Sequence, residues 1–395
     1  MKTDLAQEVM ERCDTLSALT DEPGRITRTF HSPAMEAANR LVIGWMREVG
    51  LTVWEDAAFN LFGRWSSITP DAKTLLLGSH LDTVRDAGKY DGPLGVLVAL
   101  AAVEQLKTRG VQLPFHVEVV GFSDEEGVRY QTTYLGSRAL TGRLTEADLA
   151  VIEEKGIEKA GREASEFLGY AEVHIEQGPV LETHNLAVGV VTGIAGQSRI
   201  RVSFIGMAGH AGTTPMLLRR DALCGAAEFV GLVEKCGIVA TVGTMNVQPG
   251  ASNVIPGRVD LTLDVRDPVD LRRLCGCRKL EEQARQLAER RGLTIEWTPV
   301  QETPAVPCAD PLSKLMSEAV AAYQPSVVSL PSGAGHDAAA IAAICPVAML
   351  FVRCKDGLSH HPDESVDAAD VAVAINVLSA FILKLASSTV SAADA

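Results

Sequence analysis

Apolar and polar positions recur with two different periods along this chain, and the switches between them mark its elements. Residues 8–20 and 33–49 carry apolar side chains at helical spacing, with Pro33 near the start of the second stretch and Gly50 just past its end, the usual punctuation of a helix. Thr74 to Leu77 is a short apolar run that reads as a strand and leads into Gly78-Ser79-His80. A turn-rich segment, Asp86 to Gly95, opens a long apolar stretch ending near Gly110, which reads as a buried helix. Phe115 to Phe122 reads as a second strand and ends in Ser123-Asp124-Glu125-Glu126-Gly127. Strand, loop, helix, strand and loop in this order predict a doubly wound sheet, in which ligands bind outside the carboxyl ends of the strands. Both acidic loops fall at that edge.

A different pattern begins near Gln197 and lasts to about Val300. Ser198 to Phe204 alternates as a strand, Leu217 to Cys236 has helical spacing, and Thr241 to Val247 and Val259 to Val265 are further strands. Leu271 to Arg291 is a charged helix and Leu293 to Trp297 a last strand. The order β-α-β-β-α-β suits a small split-βαβ domain. After Pro304 and Pro307 the chain returns to Ala-rich helices and apolar strands such as Val347 to Val352. The expectation is one α/β domain in two pieces, 1–196 and 304–395, with an α+β domain inserted over 197–303. A Ser/Ala-rich tail after Ala386 is expected to fray.

Composition narrows the function. With 395 residues and 47% apolar content, a sizeable core can be buried, and 5% aromatics suit tightly packed helices and strands. A formal charge of -14 argues against nucleic acid as a partner, because no basic patch offsets a phosphate backbone. Met1 to Asp14 is polar and charged, unlike a secretory signal. No run approaches the roughly 18 uncharged apolar residues of a membrane helix. The eight cysteines show no CxxC pair, and Cys275 and Cys277 are too close for an easy disulfide. Reduced thiols and a cytoplasmic location are the expectation.

Six of the nine histidines, His80, His174, His210, His336, His360 and His361, sit in Gly-, Asp- or Glu-containing segments that look like loops or strand ends. A strand-end His80 with Asp82 two residues on can offer one ring nitrogen to a metal while the carboxylate holds the other. Asp91, in a Gly-flanked loop, can bridge two cations. The plain alternative is a polar turn with local hydrogen bonds. Asp124-Glu125-Glu126 follows an apolar strand; adjacent carboxylates at a buried strand end are costly unless neutralised, and one can bind metal while its neighbour acts as a base. The alternative here is a solvated acidic turn. Val173-His174-Ile175-Glu176-Gln177 and Leu358-Ser359-His360-His361 complete a His and carboxylate set without thiolates, which suits zinc, manganese or cobalt.

Read together, the segments GSHLDTV, KYDGPLGV, FSDEEGVRY, HIEQGPVLE, GHAGTTPM, NVIPG, LDVRD, SGAGHDA and DGLSHHPDES resemble the hydantoinase/carbamoylase branch of the M20 metallopeptidase superfamily. The resemblance runs in order over nearly the whole chain, and HIEQG and HAGTTPM are its most specific parts. It implies a mixed-sheet, zinc-peptidase-like catalytic domain with an inserted ferredoxin-like lid that pairs two subunits. It implies two divalent cations per subunit (zinc or manganese, with cobalt or nickel as further options). His80, Asp91 and His174 would hold one, and Asp91, Glu126 and His360 the other, with Asp91 bridging. Glu125 would be the general base and Asp82 the partner of His80. His361 is the lesser candidate ligand. His210 would stabilise the oxyanion, reaching into the partner's site. Asn253 and Arg266 would grip a substrate carboxylate, with Gln177, Gln197, Arg199 and the Gly335-His336 turn lining the pocket.

The resemblance further implies hydrolysis of the terminal ureido (N-carbamoyl) amide of a small carboxylate. Allantoate is favoured by the Thr27-Arg28-Thr29-Phe30 entry and the Arg85–Tyr90 loop, with N-carbamoyl-L-amino acids as the alternative. An M20 aminopeptidase or dipeptidase is a more distant reading, against which HIEQG speaks. A metal-binding regulator without catalysis is another, and Glu125 beside five candidate ligands speaks against it. Two departures stand out: Gly209 where the branch usually has Asn, and Phe59 before Asn60 where Gly is commoner.

Overall fold

The computed structural model describes residues 4–69 and 71–393. The chain folds as two compact units, one made of the residues up to Thr192 together with those from Cys308 onward, the other of Gly193–Pro307. The first unit starts with helices Leu5–Ser17 and Pro33–Glu48. The second of these begins where Ser32 accepts the Met35 N–H and Pro33 occupies the first turn, a cap that satisfies an otherwise orphaned donor. Strands β1 (Thr52–Glu55), β2 (Leu61–Trp65), β3 (Thr74–His80), β4 (His116–Phe122), β5 (Phe167–Ile175) and β6 (Val188–Ile194) follow. The inserted unit contributes β7 (Gly196–Ile205), β8 (Gly209–His210), β9 (Val239–Gln248), β10 (Val254–Ile255), β11 (Arg258–Asp267) and β12 (Thr294–Thr303). The chain returns through β13 (Val306–Pro307), β14 (Ser329–Ser332) and β15 (Val347–Val352).

The large sheet has the order β1-β2-β4-β3-β5-β15-β6-β13, with β14 also on β6. Its four middle strands, β4, β3, β5 and β15, are parallel, and antiparallel strands flank them. Every residue of β3, β4 and β15 is buried, which is why these strands read as continuous Val/Leu runs rather than alternating ones: helices cover both faces of a parallel sheet. The helix Pro93–Thr108 is apolar almost all round, its buried residues running from Pro93 to Val103 and Leu106. Its neighbours include β3, β5 and the helices Leu5–Ser17 and Ala368–Ala393. A helix so enclosed needs no polar face.

That last helix bears on two expectations. Over Ala368–Thr389 it is long and apolar enough to cross a membrane by length and composition. Asp370 and Lys384 interrupt the run, which is why the sequence shows no uncharged stretch of that length. Half of the segment is buried, and Ile375, Leu378, Phe381 and Ile382 sit in the main core. The Ser/Ala-rich tail is also no loose end as far as Ala393, because the helix continues to that residue.

In the inserted unit β12-β7-β11-β9 form an antiparallel sheet, while β8 and β10 make a separate two-stranded ladder. Helices Ala222–Glu234 and Asp270–Arg290 bury Phe229, Val233, Leu280 and Leu287 against Val202, Phe204, Val259, Leu261 and Val265. The other side of the sheet carries Gln197, Arg199 and Arg201 on β7 and Thr262, Asp264 and Arg266 on β11, the period-2 partners of the buried residues. The first helix starts at Ala222, after the Asp221 cap, and not at Leu217. Met216, Leu217 and Leu218 form a short 3-10 turn with exposures of 73, 98 and 69%, so their apolarity is a surface feature. All eight cysteines are free.

Candidate active site

The parallel strands deliver their chemistry at one edge. β3 ends on His80, β4 runs into Ser123–Glu126, β5 carries His174 next to its last residue, and β15 leads toward the loop bearing His360. His80, Asp91 and His174 form one group whose donor atoms lie within 4.8 Å of one another, and Asp91, Glu126 and His360 form another. Asp91 belongs to both. Its Oδ1 lies 3.2 Å from His174 Nε2 and its Oδ2 lies 2.9 Å from His360 Nε2, which is also 3.1 Å from Glu126 Oε1.

The ring orientations fix the tautomers. His80 Nδ1 is 3.1 Å from the Asp82 carbonyl oxygen, and His174 Nδ1 is 3.0 Å from that of Ile175. A carbonyl only accepts, so each Nδ1 carries a proton and each Nε2 presents a lone pair. A lone pair facing the Asp91 carboxylate at 3.2 Å is repulsive unless a proton or a metal cation lies between them. The donor set is nitrogen and oxygen without sulfur, and it divides into two trios sharing one carboxylate. These residues fit a pair of divalent cations.

With no cation in place, the carboxylates draw protons onto His80 and His360 instead. Burial alone would keep His80 neutral, yet Asp82, Glu125 and Asp91 outweigh it and push its pKa well above the ordinary histidine value. His360 is driven up to about 10 by its bonds to Asp91 and Glu126. Burial raises the Glu125 carboxyl well above its ordinary value; neighbouring His80 opposes this, while Glu126, Asp337 and Asp82 add to it. Burial likewise pushes Asp124 up to about 8. A site with more buried carboxylate than positive charge is one that a cation stabilises.

Asp82 does more than the sequence suggested. Its carbonyl, not its carboxylate, holds His80 Nδ1; the carboxylate stands 3.6 Å from that nitrogen and accepts the Glu125 and Glu126 backbone N–H groups. Gln177, at φ 57, donates to Asp91 Oδ1 at 3.2 Å and to Ser359 Oγ at 3.0 Å, so it touches the bridging carboxylate directly. His336 is buried, its Nε2 is 2.7 Å from Ser332 Oγ, and its ring meets that of His174 edge-on with centroids 4.5 Å apart. Burial, with His174 adding to it, holds its pKa well below the usual value. Gly335 lies against Tyr134 with no room for a side chain. His361 turns toward Asp363 and is in neither trio.

Glu172, His174 and His336 also approach one another closely enough to be a metal trio. The Glu172 oxygens are already engaged by Ser79 Oγ and the Ala338 N–H, so we assign it to supporting the strand ends. Neither Glu172 nor Glu364, which accepts the Tyr90 and Asp91 N–H groups, was marked by the sequence reading. Glu172 shares a strand face with His174, two residues on, and a lone acid inside an apolar strand is a signal that could have found it.

The inserted unit holds the remaining candidates. Gln197, Arg199 and Arg266 converge on the Asp264 carboxylate: Gln197 Nε2 at 2.6 Å, Arg266 through Nε and Nη2 at 3.0 and 3.2 Å, and Arg199 Nε at 3.6 Å. Arg199, Asp264 and Arg266, without Gln197, line a cavity of about 600 Å³ together with Arg201, Val239 and Val300. Asn253 and His210 lie on the β8/β10 ladder instead, where Val254 pairs with His210 and the Asn253 carbonyl accepts the Ala211 N–H. Gly209 leaves a side chain 3.3 Å from Thr214 Oγ1, a tight but adjustable fit. Arg28, part of the segment that hinted at allantoate, is buried and donates to the carbonyls of Leu81, Leu16 and Leu19; it is a structural brace.

Residues 76–384 match the family described as Peptidase family M20/M25/M40. The chain is 40% identical to an allantoate deiminase of Arabidopsis thaliana, over 94% of this chain and 80% of that one. It is 38% identical to an N-carbamoyl-L-amino acid amidohydrolase of Geobacillus stearothermophilus, over 96% and 98%. It superposes on a hydantoinase/carbamoylase family amidase from Burkholderia multivorans with a TM-score of 0.90 and 32% identity, covering 96% of this chain and 98% of that one. Two His/carboxylate trios at the strand ends, an inserted sheet unit and these similarities lead to one assignment: the chain belongs to the M20/M25/M40 peptidase family, in its hydantoinase/carbamoylase amidase branch.

Proposed function

We propose that this protein is a two-metal amidohydrolase that cleaves the terminal ureido amide of allantoate. The single observation that carries the chemistry is the sharing of Asp91 between two trios, with the buried Glu125 carboxyl next to Glu126 in the same cluster. His80, Asp91 and His174 would hold one cation, and Asp91, Glu126 and His360 the other, zinc or manganese being the natural occupants of such donors. Two cations held there would polarise the carbamoyl carbonyl and lower the pKa of a water.

The protein's own residues supply the rest. Glu125 takes a proton from the attacking water as the C–O bond forms, then returns it to the leaving nitrogen as the C–N bond breaks. Carbamate released in this way decays to ammonia and carbon dioxide. His210 Nδ1 accepts the Gly212 N–H at 3.0 Å, so its Nε2 carries the proton, the tautomer that an oxyanion donor requires.

Arg266 and Asn253 are assigned to the substrate carboxylate, with Arg199 and Gln197 beside them. A planar guanidinium matches a carboxylate with two bonds, the kind of contact that Arg266 makes to Asp264 here and would have to exchange for the substrate. We further assign the inserted unit to homodimer formation, with His210 acting on the partner's substrate, and the protein to the cytoplasm. The exposed Met216-Leu217-Leu218 turn, a few residues after His210, supports a protein contact there.

A second reading, N-carbamoyl-L-amino acid hydrolysis, has comparable support from the relatives, at 38% identity against 40%. Ammonia release measured against allantoate, N-carbamoyl-L-amino acids and dipeptides tests both. Allantoate should be turned over fastest, dipeptides should be inert, and dialysis against a chelator should abolish turnover until zinc or manganese is returned. Dipeptide cleavage without ammonia release, or full activity in protein shown metal-free by elemental analysis, would overturn the proposal.

A further inference from the structure

Asp91 is the residue on which both trios depend, yet it lies in a loop and not on a strand. Between the end of β3 and the helix starting at Pro93, the chain passes through Val84–Gly92 with no strand or helix of its own. Something outside the loop must fix where Asp91 stands. The N–H of Tyr90 donates to Glu364 Oε1 at 2.7 Å and the N–H of Asp91 donates to the same oxygen at 3.1 Å. Glu364 is 3% exposed, and its other oxygen, also buried, has no hydrogen-bond partner. On the same stretch Gly88 comes so close that a side chain there would stand 2.3 Å from the carboxyl of Glu364. The loop is moulded around that group.

Glu364 lies four residues after His360, in the segment that delivers the other outer ligand. One carboxylate therefore joins the loop carrying the bridging ligand to the loop carrying His360, across 273 residues of sequence. We propose that Glu364 is a positioning residue for the two-metal site: it clamps the Tyr90–Asp91 backbone so that the Asp91 carboxylate faces His174 with one oxygen and His360 with the other. The role is geometric. A single oxygen accepts both N–H groups, so glutamine, which keeps a carbonyl oxygen in that place, can do the same work without the charge. Alanine cannot. This inference rests on the two-metal reading above, and its test separates the two.

The test compares wild type, Glu364→Gln, Glu364→Ala and Gly88→Ala, the last placing a methyl against the Glu364 carboxyl. Two readouts precede any assay of turnover. Hydrogen exchange of the metal-free proteins reports the Tyr90 and Asp91 amides directly. Titration with zinc or manganese, followed by elemental analysis, reports affinity and ions per chain. Glu364→Ala and Gly88→Ala should lose protection at both amides and weaken binding of both ions by roughly 10–100-fold, the usual effect of removing a group that orients a ligand. Glu364→Gln should stay within a few-fold of wild type in both readouts. Unchanged exchange and metal affinity in Glu364→Ala would overturn the proposal, and so would a Glu364→Gln as impaired as the alanine variant, because charge would then be the operative property. Should Glu364→Ala fail to fold, Gly88→Ala and Glu364→Gln still decide. A wild type that binds two ions and shows the expected exchange pattern, but hydrolyses no ureido acid, would sink the assigned reaction and leave the clamp standing.

Discussion

The carboxylate of Asp82 accepts the backbone N–H of Glu125 at 3.1 Å with one oxygen and that of Glu126 at 3.2 Å with the other. It thereby fastens the end of β4 to the loop after β3, while the Asp82 carbonyl holds the His80 ring. Both a ligand and the proposed base are set by one side chain. Asp82→Asn would turn one acceptor into a donor facing an N–H group. We expect metal affinity to fall by about 10–100-fold and turnover to fall even at saturating metal. Metal titration and saturated kcat, measured on the same preparation, check this; a variant that recovers full kcat once loaded would show that Asp82 acts on the ligands alone.

Glu125 and Glu126 are neighbours with different assignments. Glu126 Oε1 lies 3.1 Å from His360 Nε2, whereas Glu125 is the more deeply buried of the two. Glu125→Gln should keep two ions per chain and cut turnover by roughly 10²–10⁴-fold, the usual contribution of general acid–base catalysis. Glu126→Gln should lose metal. Elemental analysis of the two variants side by side is the measurement, and the reverse pattern would exchange their roles.

Gly92 has φ 84, and a side chain there would meet the His80 ring at 2.4 Å. Only glycine suits both the backbone and the space. Gly92→Ala should displace His80 or Asp91 and strip the metal site while the inserted unit keeps its fold. Loss of bound metal with cooperative unfolding retained would bear this out; a fully loaded, active Gly92→Ala would refute it.

Arg266→Lys tests the carboxylate grip. A point charge cannot reproduce a two-pronged contact, and loss of charge-assisted bonds of about 1.5–3 kcal/mol should lower kcat/KM roughly 10–150-fold, with metal content unchanged. A substrate whose carboxylate is replaced by an amide should be poor for wild type and hardly worse for the variant. If the two losses simply add in that cycle, Arg266 serves only its ion pair with Asp264, itself of little worth when partly exposed.

Four members of the two trios, His80, Asp91, Glu126 and His174, were legible in the sequence because each follows an apolar run or sits beside glycine, so the strand ends announce themselves; His360 has neither signal and was marked by the family resemblance. The polar face of the inserted sheet was legible for the same reason, as alternation along Ser198–Phe204 and Val259–Val265. What escaped were groups acting through backbone atoms. Glu364 and Arg28 do their work on N–H and carbonyl groups far away in sequence, and no periodicity encodes such contacts. The short strands β1 and β2 escaped too: β1 is half-exposed at the sheet edge, and the buried part of β2 is only Leu61–Gly63. Leu217 and Leu218 misled in the opposite direction, since an apolar pair at helical spacing reads as the start of the helix even when it is an exposed turn before it.

The inserted unit enters and leaves the chain side by side. Ile194 pairs with Val306 and Gly193 with Pro307, and the Cys308 N–H donates to the Thr192 carbonyl at 3.0 Å. Topologically the graft is a bubble on a continuous hairpin. Evolution could add, enlarge or exchange such a bubble without breaking any strand of the large sheet, and an engineer could tie it off with a tight turn between Ile194 and Val306, which leaves β6 and β13 paired. The metal-binding trios would then be carried by a minimal scaffold, open to a different substrate-recognition module in the same seat.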